Sequence, residues 1–187
     1  MFFLQPSQKK LLSSLNPLFF IFAVFGLILA KTACYPLAPH FIQHWDLLLP
    51  FIVFFGQRRE LPEGIILSLF SAHLFSLASG APLGVYTTAY LVIFALARLI
   101  SYVAYATTLG SILLLMIGLS AISRIVLPLV ASFFHPGWPI LSLYNLVWWS
   151  ILLNGLAGWA IYIVLVGVDR LTNKVSRSSI EFSGDAL

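Results

Sequence analysis

Charged side chains are scarce in this chain: ten Lys or Arg and six Asp or Glu make up 9% of 187 residues, where soluble domains usually carry about 25%. The few acids form no paired carboxylate for general acid–base work and no metal-ligand cluster, and no phosphate loop, Cys/His couple or Ser-centred nucleophile elbow is present. An enzyme is not expected, and no cofactor or metal is expected either. Cys34 is the single cysteine, which excludes an intramolecular disulfide and reads best as a small apolar residue. Long polar stretches are also missing. The longest are the first 16 and the last 19 residues, too short for a soluble domain. No internal repeat is visible, which disfavours inverted-repeat transporter designs.

What the chain has instead is apolar length: 60% of its residues are hydrophobic and its mean hydropathy is +1.01. A bilayer core of about 30 Å takes about 20 apolar residues per helix, so several crossings fit. The basic residues fall almost entirely between apolar runs. The pI near 9.4 therefore reflects membrane-edge Lys and Arg facing lipid headgroups, and no nucleic-acid partner is expected.

Six crossings are expected, over residues 17–35, 47–56, 61–79, 83–104, 109–134 and 141–168. Asn16 is placed to cap the first, with Pro17 at its first helical position. The second run is half the needed length and becomes long enough only from about Phe41, which carries Gln43, His44 and Asp46 into the interface. The positive-inside rule supports counting it. With six crossings and a cytoplasmic N-terminus, Lys9, Lys10, Arg58, Arg59, Arg98, Arg170, Lys174 and Arg177 are all inside, Arg98 by snorkelling from the inner end of the fourth helix. Only Lys31 stays outside, and Arg124 lies within a span. Trp45, Trp138, Trp148 and Trp149 would form an outer aromatic belt, with Trp159 outside it.

This divides the chain into a cytoplasmic segment (1–16), an all-α six-helix transmembrane domain (17–168) and a cytoplasmic basic and polar tail (169–187). Lys9 and Lys10 ahead of an apolar run could begin a signal peptide, and Thr32-Ala33-Cys34 hints at a lipoprotein site. Lys31 stands where that signal wants an aliphatic residue, however, so the first helix is retained.

The third helix carries a packing code. Ser68, Ala72, Ser76 and Gly80 repeat every four residues, and small residues so spaced let backbones approach closely in lipid. The same pattern fits packing on this chain or on a partner. Beside it, His73 has no acidic or His companion at membrane depth, so a hydrogen-bonded packing role is expected rather than a ligand role. Arg124, 15 residues into the fifth helix, needs carbonyls freed near Pro128, or Asn145 or Asn154, as partners. It reads either as a structural anchor or as a ligand or partner contact. Between the third and fourth helices, Ser79-Gly80-Ala81-Pro82-Leu83-Gly84 makes a tight uncharged turn, with glycines for positive φ and Pro82 to stiffen the next helix.

The stretch from Asp46 through Leu47-Leu48-Leu49-Pro50-Phe51-Ile52-Val53-Phe54-Phe55-Gly56-Gln57-Arg58-Arg59, then the turn Ser79 to Gly84, then Tyr90 to Arg98, resembles the rod shape-determining protein MreD family of bacteria. Asn154-Gly155 is similar to the family's Asn-Gly in the last helix. The likeness covers roughly residues 44–100, with Ser76 where family members often carry Asp. It implies a fold similar to the substrate-binding subunits of energy-coupling-factor vitamin transporters. The implied function is a non-catalytic component of the cell-elongation machinery in the bacterial inner membrane. Implied partners are a bitopic MreC-type protein and, through it, an MreB-type actin-like filament and the glycan polymerase–transpeptidase pair. Asp46, Arg58, Arg59, Pro82, Leu83, Gly84, Asn154 and Gly155 then join the ladder, Arg98 and Arg124 as candidate packing or partner residues. Two alternatives stand beside this one: a small-molecule, vitamin-type binding subunit, and a lone homo-oligomeric membrane protein. The abundance of Phe, at 16, favours a filled interior over a ligand cavity.

The eight-to-one basic bias makes orientation testable. A reporter fused after Leu187 should be active only in the cytoplasm, and an impermeant maleimide should label Cys34 from outside. An active external tail overturns the layout.

Overall fold

A computed structural model describes residues 6–34, 45–80, 82, 84–103, 108–134 and 147–172. Among them are six helices and no strand: α1 (Pro6–Cys34), α2 (Leu49–Arg58), α3 (Leu61–Ser79), α4 (Val85–Val103), α5 (Leu109–Phe134) and α6 (Val147–Leu171). Five of them, all but α2, are long and apolar enough to cross a membrane. The chain is thus an all-α protein of the multi-pass membrane type.

α2 departs from the expected second crossing. It has ten residues, about 15 Å of helix, and it begins after Asp46; an earlier start near Phe41 lies outside the described residues. Every residue from Leu49 to Gln57 is buried. A helix apolar all round belongs in a core, and here the core is made of protein. α2 packs on α3, α4 and α6 and touches α5, while α1 packs on α3, α3 and α5 on α4, and α6 on α5. The five long helices thus surround α2. Phe20 of α1 stacks on Phe54 at 5.3 Å and meets Phe55 edge-on at 5.7 Å, and Tyr162 of α6 meets Phe54 at 5.5 Å.

Close approach around α2 depends on missing side chains. A Cβ on Gly56 would lie 3.0 Å from Ala97 Cβ and 3.1 Å from the Phe94 carbonyl of α4. On Gly64 it would lie 2.9 Å from the Phe94 ring and 3.1 Å from the Phe55 carbonyl. Gly155 sits where α6 crosses α5, and its Cβ would be 3.1 Å from the Cα of Ile117.

Cross-helix contacts set the directions. Asn16, Arg59, Arg98 and Asp169 meet at one end of the bundle, and Asp46, Tyr90 and Asn154 at the other. Gly84, at the start of α4, faces Phe134 at the end of α5. Consecutive helices therefore alternate in direction, and Asn16, within α1, lies beside the end of α6.

Several expected boundaries shift. α1 starts at Pro6, so Asn16 and Pro17 are interior to it. The missing proline amide is tolerated in an apolar helix whose neighbours supply polar groups. α4 starts at Val85 rather than residue 83. α6 runs on to Leu171, which draws Asp169 out of the expected tail into its last turn; a start at residue 141 lies outside the described residues. The turn before α4 has the expected conformation, with φ +66° at Gly80 and +100° at Gly84. Trp148 and Trp149, at the start of α6, are 79% and 75% exposed. Trp159 is partly buried and donates to the Leu109 carbonyl at 3.1 Å.

Gly155→Ala should cost about 1–3 kcal/mol by overpacking against α5. Gly26→Ala, whose new Cβ meets nothing within 4 Å, should be neutral or gain up to about 1 kcal/mol. Thermal melting in detergent distinguishes the two.

Candidate functional site

The polar side chains gather at the two ends of α2. A helix leaves amides unpaired at its start and carbonyls at its end, and a membrane interior offers no water to satisfy them.

At the N-terminal end, Asp46 Oδ1 accepts from the Leu49 amide at 3.2 Å and from the Tyr90 hydroxyl at 2.6 Å. The Asp46 amide donates to Asn154 Oδ1 at 3.0 Å. A carboxylate here also complements the positive pole of the helix. Tyr90 stacks on Tyr86 at 6.0 Å, and Phe75 stands edge-on to Tyr86 at 4.9 Å. Lys31 donates to the Trp45 carbonyl at 3.1 Å and sits 4.8 Å from the Phe75 ring centroid. Arg124 lies near enough for its charge to act on both Lys31 and Tyr90. It joins a polar cluster at this end of α2 that is more extensive than the sequence indicates.

At the C-terminal end, Arg59 is 1% exposed. Its Nη2 donates to Asp169 Oδ1 at 2.5 Å and Asn16 Oδ1 at 2.7 Å, and its Nε lies 3.7 Å from Glu63 Oε1. The guanidinium carbon is 4.9 Å from the Phe20 ring centroid and 5.4 Å from that of Phe54. Asn16 donates in turn to Asp169 at 3.1 Å and Thr172 at 2.6 Å. One side-chain set thus joins α1, α2 and α6.

Arg98 does not snorkel outward. It is buried, and its Nη1 donates to the carbonyls of Gly56 (3.2 Å) and Arg59. The freed carbonyls at the end of α2 attract a cation more strongly than a distant headgroup does. Arg58, by contrast, is only partly buried and donates from Nε to the Tyr162 hydroxyl at 3.4 Å, which itself donates to Gln57 at 2.7 Å.

Of the other candidates, Ser68, Ala72 and Ser76 are buried on the inner face of α3. Gly80 leaves this ladder: it is exposed, in the left-handed conformation that ends the helix. The Pro82 carbonyl accepts from Val85 at 3.3 Å, and Leu83 lies outside the described residues. His73 is exposed on the outer face of α3 and bonds to no described residue.

Asn16, Asp169, Tyr90, Tyr162 and Thr172 were not among the candidates. Asn16, Tyr90 and Tyr162 lie in or beside apolar runs, Asp169 and Thr172 open the polar tail, and nothing local pairs Arg59 with an acid 110 residues away. The one available signal was that Asp169 directly follows a long apolar stretch. Among the described residues, no group of three or more His, Cys, Asp and Glu is placed to hold a metal ion. Chemically the two clusters hold charges in fixed places; Oδ1 of Asp46 and Oδ1 of Asp169 each accept two bonds that tie segments of the chain together.

Comparisons with protein-family models, with curated proteins and with solved structures find no match to this chain. The class is thus defined by the fold itself: a multi-pass α-helical membrane bundle around a short, fully enclosed helix that is capped at both ends by buried polar groups.

Removing one partner of a buried ion pair leaves the other uncompensated, at about 3–5 kcal/mol. Arg59→Met and Asp169→Leu should each lower melting temperature and membrane accumulation sharply. The double variant should recover much of the loss. Additive losses would show that the two side chains are not energetically coupled.

Proposed function

We propose that this chain is a non-catalytic scaffold of the bacterial cell-elongation machinery, resident in the cytoplasmic membrane with both ends inside. It acts there by helix packing with an MreC-type bitopic partner and, indirectly, with the filament and the glycan-synthesising pair. The observation that carries this reading is that the residues of the family-like stretch are those that enclose α2. Asp46 holds its start, Arg59 ties its end to α1 and α6, and Gly56 lets α4 close on it. The interior that a ligand binder would keep open is occupied by a helix and its aromatic neighbours. Asp46 and Asp169 take part in packing.

We read α2 as a sixth, shortened crossing. Its ten helical residues span about 15 Å, Asp46 and Arg59 extend it at either end, and its direction is opposite to both α1 and α3. Enclosed by protein, it need not match the thickness of the lipid. The basic residues then keep the inside bias that the sequence implies.

A vitamin-type binding subunit is the second reading. It draws support from the convergence of Asp46, Tyr90, Asn154, Lys31 and Arg124 near one end of the bundle.

Depletion should turn rod-shaped cells round before growth stops, with uptake of individual vitamins unchanged. Cells that keep their shape and lose uptake of one nutrient would instead establish the transporter reading.

A further inference from the structure

The outward face of α3 combines apolar bulk with one polar side chain. Ile66, Phe70 and Leu77 are 65%, 42% and 59% exposed, and His73 falls on the same stripe, since residues three, four and seven apart share a helix face. His73 is six residues short of Ser79, about 9 Å below that end, and twelve past Leu61, about 18 Å above the other. Lys and Arg snorkel over such distances on long stems, whereas an imidazole on one methylene does not. Facing hydrocarbon with no bond from a described residue, its N–H and ring nitrogen carry a cost of a few kcal/mol. The buried side of α3 offers Ser68, Ser71 and Ser76, yet the imidazole points away from them and bonds to no described residue.

We infer that this face of α3 pairs with α3 of a second copy, with the two His73 side chains bonded to each other. Uncharged imidazole has one donor and one acceptor nitrogen, which point away from each other across the ring, so two His73 side chains share a single N–H···N bond that pairs one polar atom of each copy. Copies in one membrane share orientation, and a twofold axis along the membrane normal brings like residues together. Ile66, His73 and Gly80 recur every seven residues, the spacing that keeps one seam facing a parallel partner helix. A single polar seam residue is also what sets register in such pairs. Gly80 adds room: a Cβ there would meet nothing within 4 Å, so the backbones are free to approach at that end.

Cys34 is the only cysteine, so a Cys34→Ser background allows single cysteines to be placed at Ile66, Phe70 or Leu77. Leu114 on α5, 72% exposed, serves as control. After oxidation in native membranes, the α3 positions should give covalent dimers and the control should not. His73→Leu should reduce dimer yield about three- to tenfold, the size of one interhelical hydrogen bond in lipid. His73→Asn, which keeps a donor and an acceptor, should retain it. Since His73 is exposed, the melting temperature of both variants should be unchanged, which separates pairing from folding. Equal yields at Leu114, no dimer from α3, indifference to His73→Leu, or capture of a different membrane protein by a photocrosslinker at Phe70 would each overturn the inference.

Discussion

A ten-residue helix cannot bring both of its ends to water across a bilayer, and the rest of the bundle is arranged around that shortfall. The unpaired amides and carbonyls of α2 lie inside the protein, so other helices must carry polar groups to them. Asp46 and Asn154 serve the start; Arg98 takes the last carbonyls. The strongest element is Arg59. Its burial would be prohibitive without Asp169 and Asn16, so the end of α2 holds only if α1 and α6 meet there. A short helix therefore dictates how the first and last helices are joined.

The same arrangement bears on function. Buried charge pairs contribute little net stability compared with apolar packing, but they tolerate few geometries. With Gly56 against Ala97 and Gly155 against Ile117, they favour one packing of the helices over its alternatives. The proposed scaffold role would call for a defined outer surface of this kind, and the exposed face of α3 is the part of it that we assign to a second copy.

Helix type and several helix extents were legible, because the largely apolar stretches that form the 19- to 26-residue helices α3, α5 and α6 have few other solutions in lipid. The αL turn at Gly80 and Gly84 was equally readable, since positive φ selects glycine locally. The ladder of Ser68, Ala72 and Ser76 was recognisable as a packing face. Its inward direction was not, because small residues permit close approach without naming the neighbour. Asn16 misled for a local reason: Asn before Pro is a good helix start, yet the preceding residues carry the helix through it.

By itself the sequence determined that this chain lives among lipids, through its hydropathy, the length of its apolar runs and the placement of its basic residues. Those are local or additive properties. What only the tertiary structure decided is the fate of each charge. Arg58 and Arg59 are adjacent and chemically alike, but Arg58 reaches Tyr162 at the margin while Arg59 is sealed against Asp169. Arg98, read as a headgroup anchor, turns inward to carbonyls. His73, read as a hydrogen-bonded packing residue beside the ladder, lies on the exposed face of α3. A helix distributes neighbouring side chains over different faces, and which face is inside depends on partners tens of residues away.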